Sequence, residues 1–188
     1  MNARASSGEQ ARCDLRAKMD SLWSYHAWYT REYYIAAVLE TPNANATATR
    51  LLQNQTDIGN AFGQYYGKDV GDKIGTLLQE HIKIATEVVA ATKANDQTKL
   101  KDADDRWHQN FVELAKALSA ANPSYYPYDK TLQLLNQHLS LLTAAVTSFI
   151  GGDYSRSVTQ NDEYYEEILM MADFFTDGII NQFPDKFR

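Results

Sequence analysis

The sequence predicts an all-α protein, and three observations predict it. Glycine and proline are few, 9 and 4 of 188 residues, and gather at a handful of breaks, which favours long helices over strands joined by turns. Apolar positions recur at spacings of three and four. Leu77, His81, Ile84 and Val88 fall on one face, and Leu134, His138, Leu141 and Ala145 repeat the pattern. The chain also repeats itself. Leu77-Leu78-Gln79-Glu80-His81, with Thr86, returns 57 residues later as Leu134-Leu135-Asn136-Gln137-His138, with Thr143. The same offset carries Val89 onto Val146, Asp96 onto Asp153, Asp105 onto Asp162, Trp107 onto Tyr164 and Ala115 onto Ala172. A looser copy stands earlier as Leu22-Trp23-Ser24-Tyr25-His26, with Thr30. Self-similarity of this kind marks a repeated supersecondary unit. The expected architecture is about six helices, arranged as three repeated antiparallel helical hairpins (about 9–67, 68–123 and 129–188) forming one bundle.

Each element has a local reason. Residues 1–8 read as a loose tail, and Ser7 with Gln10 fits a capping box that starts a helix near Glu9. That helix runs to about Glu40, because the residue before Pro42 is pushed out of the helical region. Asn43 or Asn45 caps the second helix, which ends at Tyr66-Gly67 with glycine in the left-handed position. The third spans about Lys68 to Lys93 and breaks at Asn95-Asp96. The fourth covers about Gln97 to Ala121 and stops at Asn122-Pro123. After an aromatic loop, Ser124 to Tyr128, the fifth spans about Lys130 to Ile150, ending at Gly151-Gly152. The sixth spans about Asp153 to Gln182, and Pro184 closes it. Gly59 and Gly63 lower helix propensity in the second helix, so a close backbone approach is expected there.

Composition narrows the function. A net charge of −6 and a pI near 5.2 argue against a general nucleic-acid binder and give no support for docking on an anionic membrane. No window approaches 18 continuous apolar residues, and the N-terminus lacks an apolar signal region, so a cytoplasmic protein without a membrane span is expected. The single cysteine, Cys13, excludes an intramolecular disulfide and a cysteine-based zinc site. No phosphate loop, Walker pattern or serine-hydrolase elbow is present.

The chemistry sits on the apolar faces. His26, His81 and His138 occupy the same slot in the three copies, in line with apolar neighbours. The second helix of each unit turns Asn54, Asn110 and Glu167 toward the same interior, and Asp57 and Glu113 follow the two asparagines at i+3. Buried polar groups cost several kcal/mol, in order of magnitude, unless partnered, so these should meet. Under pseudo-threefold packing, three imidazoles would converge. With Glu167, Glu113 and Asp57 as ligands or orienting carboxylates, they would make a zinc, iron or copper site, or a polar pocket for a small ligand. The alternative is three separate clasps, each histidine bonded to the Asn, Asp or Glu of its own hairpin, that set packing without a metal in a non-catalytic structural or interaction protein. An enzyme would further need a metal-bound water with Glu167 or Glu113 as base. His108 is out of phase and belongs at the surface. Glu163 and Glu166 belong to the solvated face, and Tyr25, Tyr29, Tyr33 and Tyr34 read as a core stripe with hydroxyls at the rim.

Leu22-Trp23 with His26, Trp28, Thr30 and Arg31, then Arg50-Leu51-Leu52 with Asn54, Thr56 and Asp57, then Tyr65-Tyr66-Gly67, form a recognisable series. It resembles a family of small uncharacterised proteins, mainly from Gram-positive bacteria. The ending Gly178-Ile179-Ile180 with Gln182-Phe183-Pro184-Asp185-Lys186-Phe187 is similar to that family's ending, so the likeness covers most of residues 20–188. It implies a helical domain and no established activity. Some relatives carry an acetylglutamate kinase label, which this sequence does not support. Amino-acid kinases need an α/β fold with glycine-rich phosphate loops.

Overall fold

The structure, a computed structural model, describes residues 7–188. Over these residues it is all-α, with six helices: α1 Ser7–Leu39, α2 Ala44–Tyr66, α3 Lys68–Lys93, α4 Gln97–Ala121, α5 Tyr128–Ile150 and α6 Tyr154–Gln182. A 3-10 turn, Pro184–Phe187, follows. The loose tail expected over residues 1–8 lies outside the described residues except for Ser7 and Gly8, which are helical. Gly8 is buried, and a β-carbon there would fall 2.4 Å from the Arg188 carbonyl carbon, so the two ends of the described chain touch. Gln10 bonds to Asp14 (2.7 Å) and not back toward a capping serine.

The breaks follow residue chemistry. Asp96 and Asp153 cap α4 and α6, their side chains accepting from the backbone N–H groups of Lys99 and Arg156. Asn95 (φ 54°) and Gly67 (φ 91°) supply the positive φ that the α3–α4 and α2–α3 connections require. Gly67 has ψ 157°, so it is extended and not in the left-handed helical position. α5 starts two residues earlier than expected, at Tyr128, because Pro127 fits the residue just ahead of a helix.

Each helix packs on the next, and α6 returns to α1, so the six close into a ring; α1, α3 and α5 also touch one another across the middle. One hydrophobic core runs through all six helices, from Leu15 and Met19 on α1 to Phe175 and Ile179 on α6. At the α2–α3 crossing, Gly59 faces Gly71 and Gly75 so closely that a β-carbon on Gly59 would lie 2.7 Å from the Gly71 carbonyl oxygen. This is the close approach expected from Gly59 and Gly63. Tyr126, in the loop before α5, is buried, and its hydroxyl donates to the Phe175 carbonyl (2.5 Å).

Candidate functional site

The inward turn of α1, α3 and α5 carries one histidine each. His26, His81 and His138 are all buried. They meet: the His138 ring centroid lies 5.6 Å from His26 and 6.0 Å from His81. The three side chains share a level because each follows its own helix's apolar stripe by one turn, after Leu22, Leu77 and Leu134.

Each ring is held differently. Glu167, fully buried on α6, reaches His138, with Oε2 3.1 Å from Nδ1. That contact places the Nδ1 proton toward the carboxylate and leaves Nε2 as the free lone pair. For His26 the partner is Gln55 on α2, whose Nε2 lies 3.2 Å from Nδ1. The same Nε2 faces the Leu51 carbonyl (2.9 Å) and Asn54 Oδ1 (3.1 Å), both acceptors, so the amide points its donor this way. That nitrogen has two hydrogens for three neighbours, so His26 shares Gln55 with the Leu51 carbonyl and Asn54. Among the described residues, His81 has no hydrogen-bond partner on either nitrogen. It stacks on Phe111, centroids 4.4 Å apart and planes nearly parallel, and beside Trp107, whose Nε1 donates to the His81 carbonyl.

Electrostatics keep two of the rings neutral. Burial pushes His26 from its ordinary 6.5 down to about 3, with the neighbouring His138 adding to the effect. Burial, then His138 and His26, hold His81 well below its usual range. Neutral imidazoles are the form that binds metal. Around them several buried polar atoms lack partners among the described residues: both His81 nitrogens, Glu167 Oε1 and Gln55 Oε1. A cavity of about 30 Å³ touches His26, Thr30, His81 and Trp107 and extends to Thr92 and Thr147, near the C-terminal ends of α3 and α5. That volume suits a water or an ion, not an organic ligand.

Of the expected residues, the structure brings together His26, His81, His138 and Glu167. Asn54 and Asn110 are buried nearby but face the backbone: their amides donate to the carbonyls of Leu22 (3.0 Å) and Leu77 (3.1 Å), each four residues before a histidine. Asp57 and Glu113 are corrections. Asp57 pairs with Arg50 (3.6 Å), and Glu113 with Lys116 (2.9 Å), which holds its carboxyl below the usual range. A step of i+3 swings the side chain about 60° off the buried stripe, onto the face that carries Arg50 or Lys116. Glu113 is thereby removed as a base for metal-bound water. His108 is exposed, and so are Glu163 and Glu166. Of the tyrosine stripe only Tyr34 is core, and Tyr25 is largely in water.

Gln55 is the contact that sequence reasoning missed. The signal for it is a spacing: Gln55 follows His26 by 29 residues, as Glu167 follows His138. Asn110 stands at the same distance from His81. Among the described residues, no group of three or more His, Cys, Asp and Glu side chains is already gathered so as to hold a metal ion. Set against protein-family models, curated proteins and solved structures, the chain matches none. Function therefore has to come from the geometry.

Proposed function

We propose that the protein binds one transition-metal ion, such as zinc, iron or copper, at the buried cluster of His26, His81 and His138, with Glu167 orienting His138 or donating Oε1. The observation that carries this reading is the pairing of converging rings with unsatisfied acceptors. Three imidazoles share a buried centre, yet His81 bonds to nothing and Glu167 keeps a bare oxygen. Buried groups left unpartnered cost about 1–3 kcal/mol each, which an ion or ordered water would offset. Rings bound to one tetrahedral ion at Zn–N of about 2.0 Å have centroids about 5 Å apart. The two pairs that include His138, at 5.6 and 6.0 Å, lie within about an ångström of that separation, and His81 gives up no hydrogen bond in turning. His26 is already engaged by Gln55 and His81 by nothing, so His81 and His138 are the primary ligands.

We further infer that α1–α2, α3–α4 and α5–α6 are three copies of one hairpin. Support comes from the paired asparagine-to-carbonyl clasps, the matching caps Asp96 and Asp153, and the recurring 29-residue spacing. A second reading takes the polar core as these clasps alone, binding nothing. The bonds from Asn54 to Leu22 and from Asn110 to Leu77 favour it, since they satisfy their groups without any ion.

Titration of metal-free protein with cobalt(II) separates the two. The metal reading expects visible bands of a low-symmetry nitrogen-ligated ion saturating at one equivalent, with a raised melting temperature, and both lost in His81→Ala. A featureless titration with no thermal gain, alongside an unchanged fold, would leave the clasp reading standing.

A further inference from the structure

The outer surface of α1 and α6 carries a different kind of feature. Trp28 is 64% exposed, Tyr154 55%, Val158 50%, Tyr25 47% and Tyr165 42%, an unusual set to leave in water on neighbouring helices. They fall at helical spacings, 25 and 28 on α1, and 154, 158 and 165 on α6. The two helices are antiparallel and tied together there, Ser24 Oγ lying 3.0 Å from the Tyr165 hydroxyl and Asn161 Nδ2 donating to the Tyr34 hydroxyl at 2.6 Å. Between them runs an open groove of about 490 Å³ that includes Arg31 and Asp162. Both charges lie in the aromatic stripes, three residues beyond Trp28 and four beyond Val158, and neither forms an ion pair within the chain among the described residues.

We propose that this face is where two copies of the chain associate, about a two-fold axis. Such an axis sets each patch against itself, so a face must be self-complementary. This one holds one unpaired cation and one unpaired anion amid tryptophan and tyrosine, the residue types that anchor interfaces together with arginine. Arg31 of one copy then meets Asp162 of the second, and the pair occurs twice. A small molecule in the groove is the weaker occupant. From Tyr154 to Val158 to Tyr165 the exposed apolar run on α6 extends about 17 Å at 1.5 Å per residue, and a ligand in the groove would leave Tyr154, which does not line it, in water. Two stacked pairs of helices cover the whole run.

Sedimentation of the full chain across a wide concentration range tests this. The wild type is expected to reach a dimer. Arg31→Glu and Asp162→Arg should each shift it toward monomer, and the double variant should restore the dimer, because the charges are exchanged and not lost. Trp28→Ala should raise the dimer Kd at least tenfold with an unchanged melting temperature for the monomer. A wild type that stays monomeric at every concentration overturns the proposal and leaves the face to another occupant. Single variants that dimerise like the wild type, or a double variant that does not recover, overturn the two-fold pairing. None of these readouts depends on metal.

Discussion

At the scale of single residues, the histidines should make stability sensitive to acid. His26 titrates near its ordinary 6.5 when the chain is unfolded and at about 3 when folded. The unfolded state therefore binds the extra proton between those values. The stability is fully present above pH 6.5 and is lost as pH falls toward 3, at about 1.4 kcal/mol per pH unit for a single group. Urea unfolding of metal-free protein between pH 4 and 6.5 should show His26→Phe losing stability less steeply than wild type by about that slope; equal slopes would contradict a buried neutral imidazole. The partners of the rings give a second expectation. Glu167→Gln removes the carboxylate behind His138 and should weaken metal binding 10- to 100-fold. Gln55→Glu would give His26 the kind of partner His138 has, leaving Nε2 free. It should tighten metal binding by about tenfold while lowering apo stability, because the new carboxylate faces the Leu51 carbonyl. Competition with a chelator reads both. Glu167 was legible in the sequence because it falls on the stripe of Tyr164, Met171 and Phe174. Gln55 was not, because the adjacent Asn54 already occupied the apparent inward position, and both turn out to be fully buried.

At the scale of elements, the α2–α3 crossing makes a sharp contrast between two glycines four residues apart. A β-carbon at Gly59 meets backbone atoms at 2.7 Å, whereas one at Gly63 meets nothing closer than the Gly71 α-carbon at 3.5 Å. Backbone cannot step aside as a flexible side chain can. Gly59→Ala should therefore cost about 2–3 kcal/mol or more, while Gly63→Ala should change stability by less than about 1 kcal/mol and in the favourable direction. Chemical denaturation of the two variants checks this, and similar losses at both positions would count against the packing described. The helix ends were readable because Pro, Gly, Asn and Asp act locally: α3 and α4 begin and end at the expected residues. Residues at i+3 from a buried asparagine were harder. Asp57 and Glu113 sit at the edge of a stripe, where a nearby Arg50 or Lys116 decides which way they turn.

At the scale of the whole molecule, the helices close a ring with three of them meeting inside, and that arrangement gathers residues from α1, α3 and α5 into one layer. The repeat made convergence of His26, His81 and His138 an expectation from sequence. The outward side was not legible. Tyr25 and Trp28 share a helix with Tyr34 and Trp23, and aromatic content alone does not say which of them finds a neighbour. Which face of α1 meets α6 is fixed by long-range contacts, among them Arg16 with Asp173 and Asp177, that no local pattern announces. The central claim is that the inner layer holds an ion, and the most direct test is elemental analysis of purified, untagged protein beside a His26→Ala/His81→Ala/His138→Ala variant. The account predicts about one equivalent of a transition metal in the wild type and none in the variant. A metal-free wild type that neither takes up nor is stabilised by added zinc, iron or copper would contradict it.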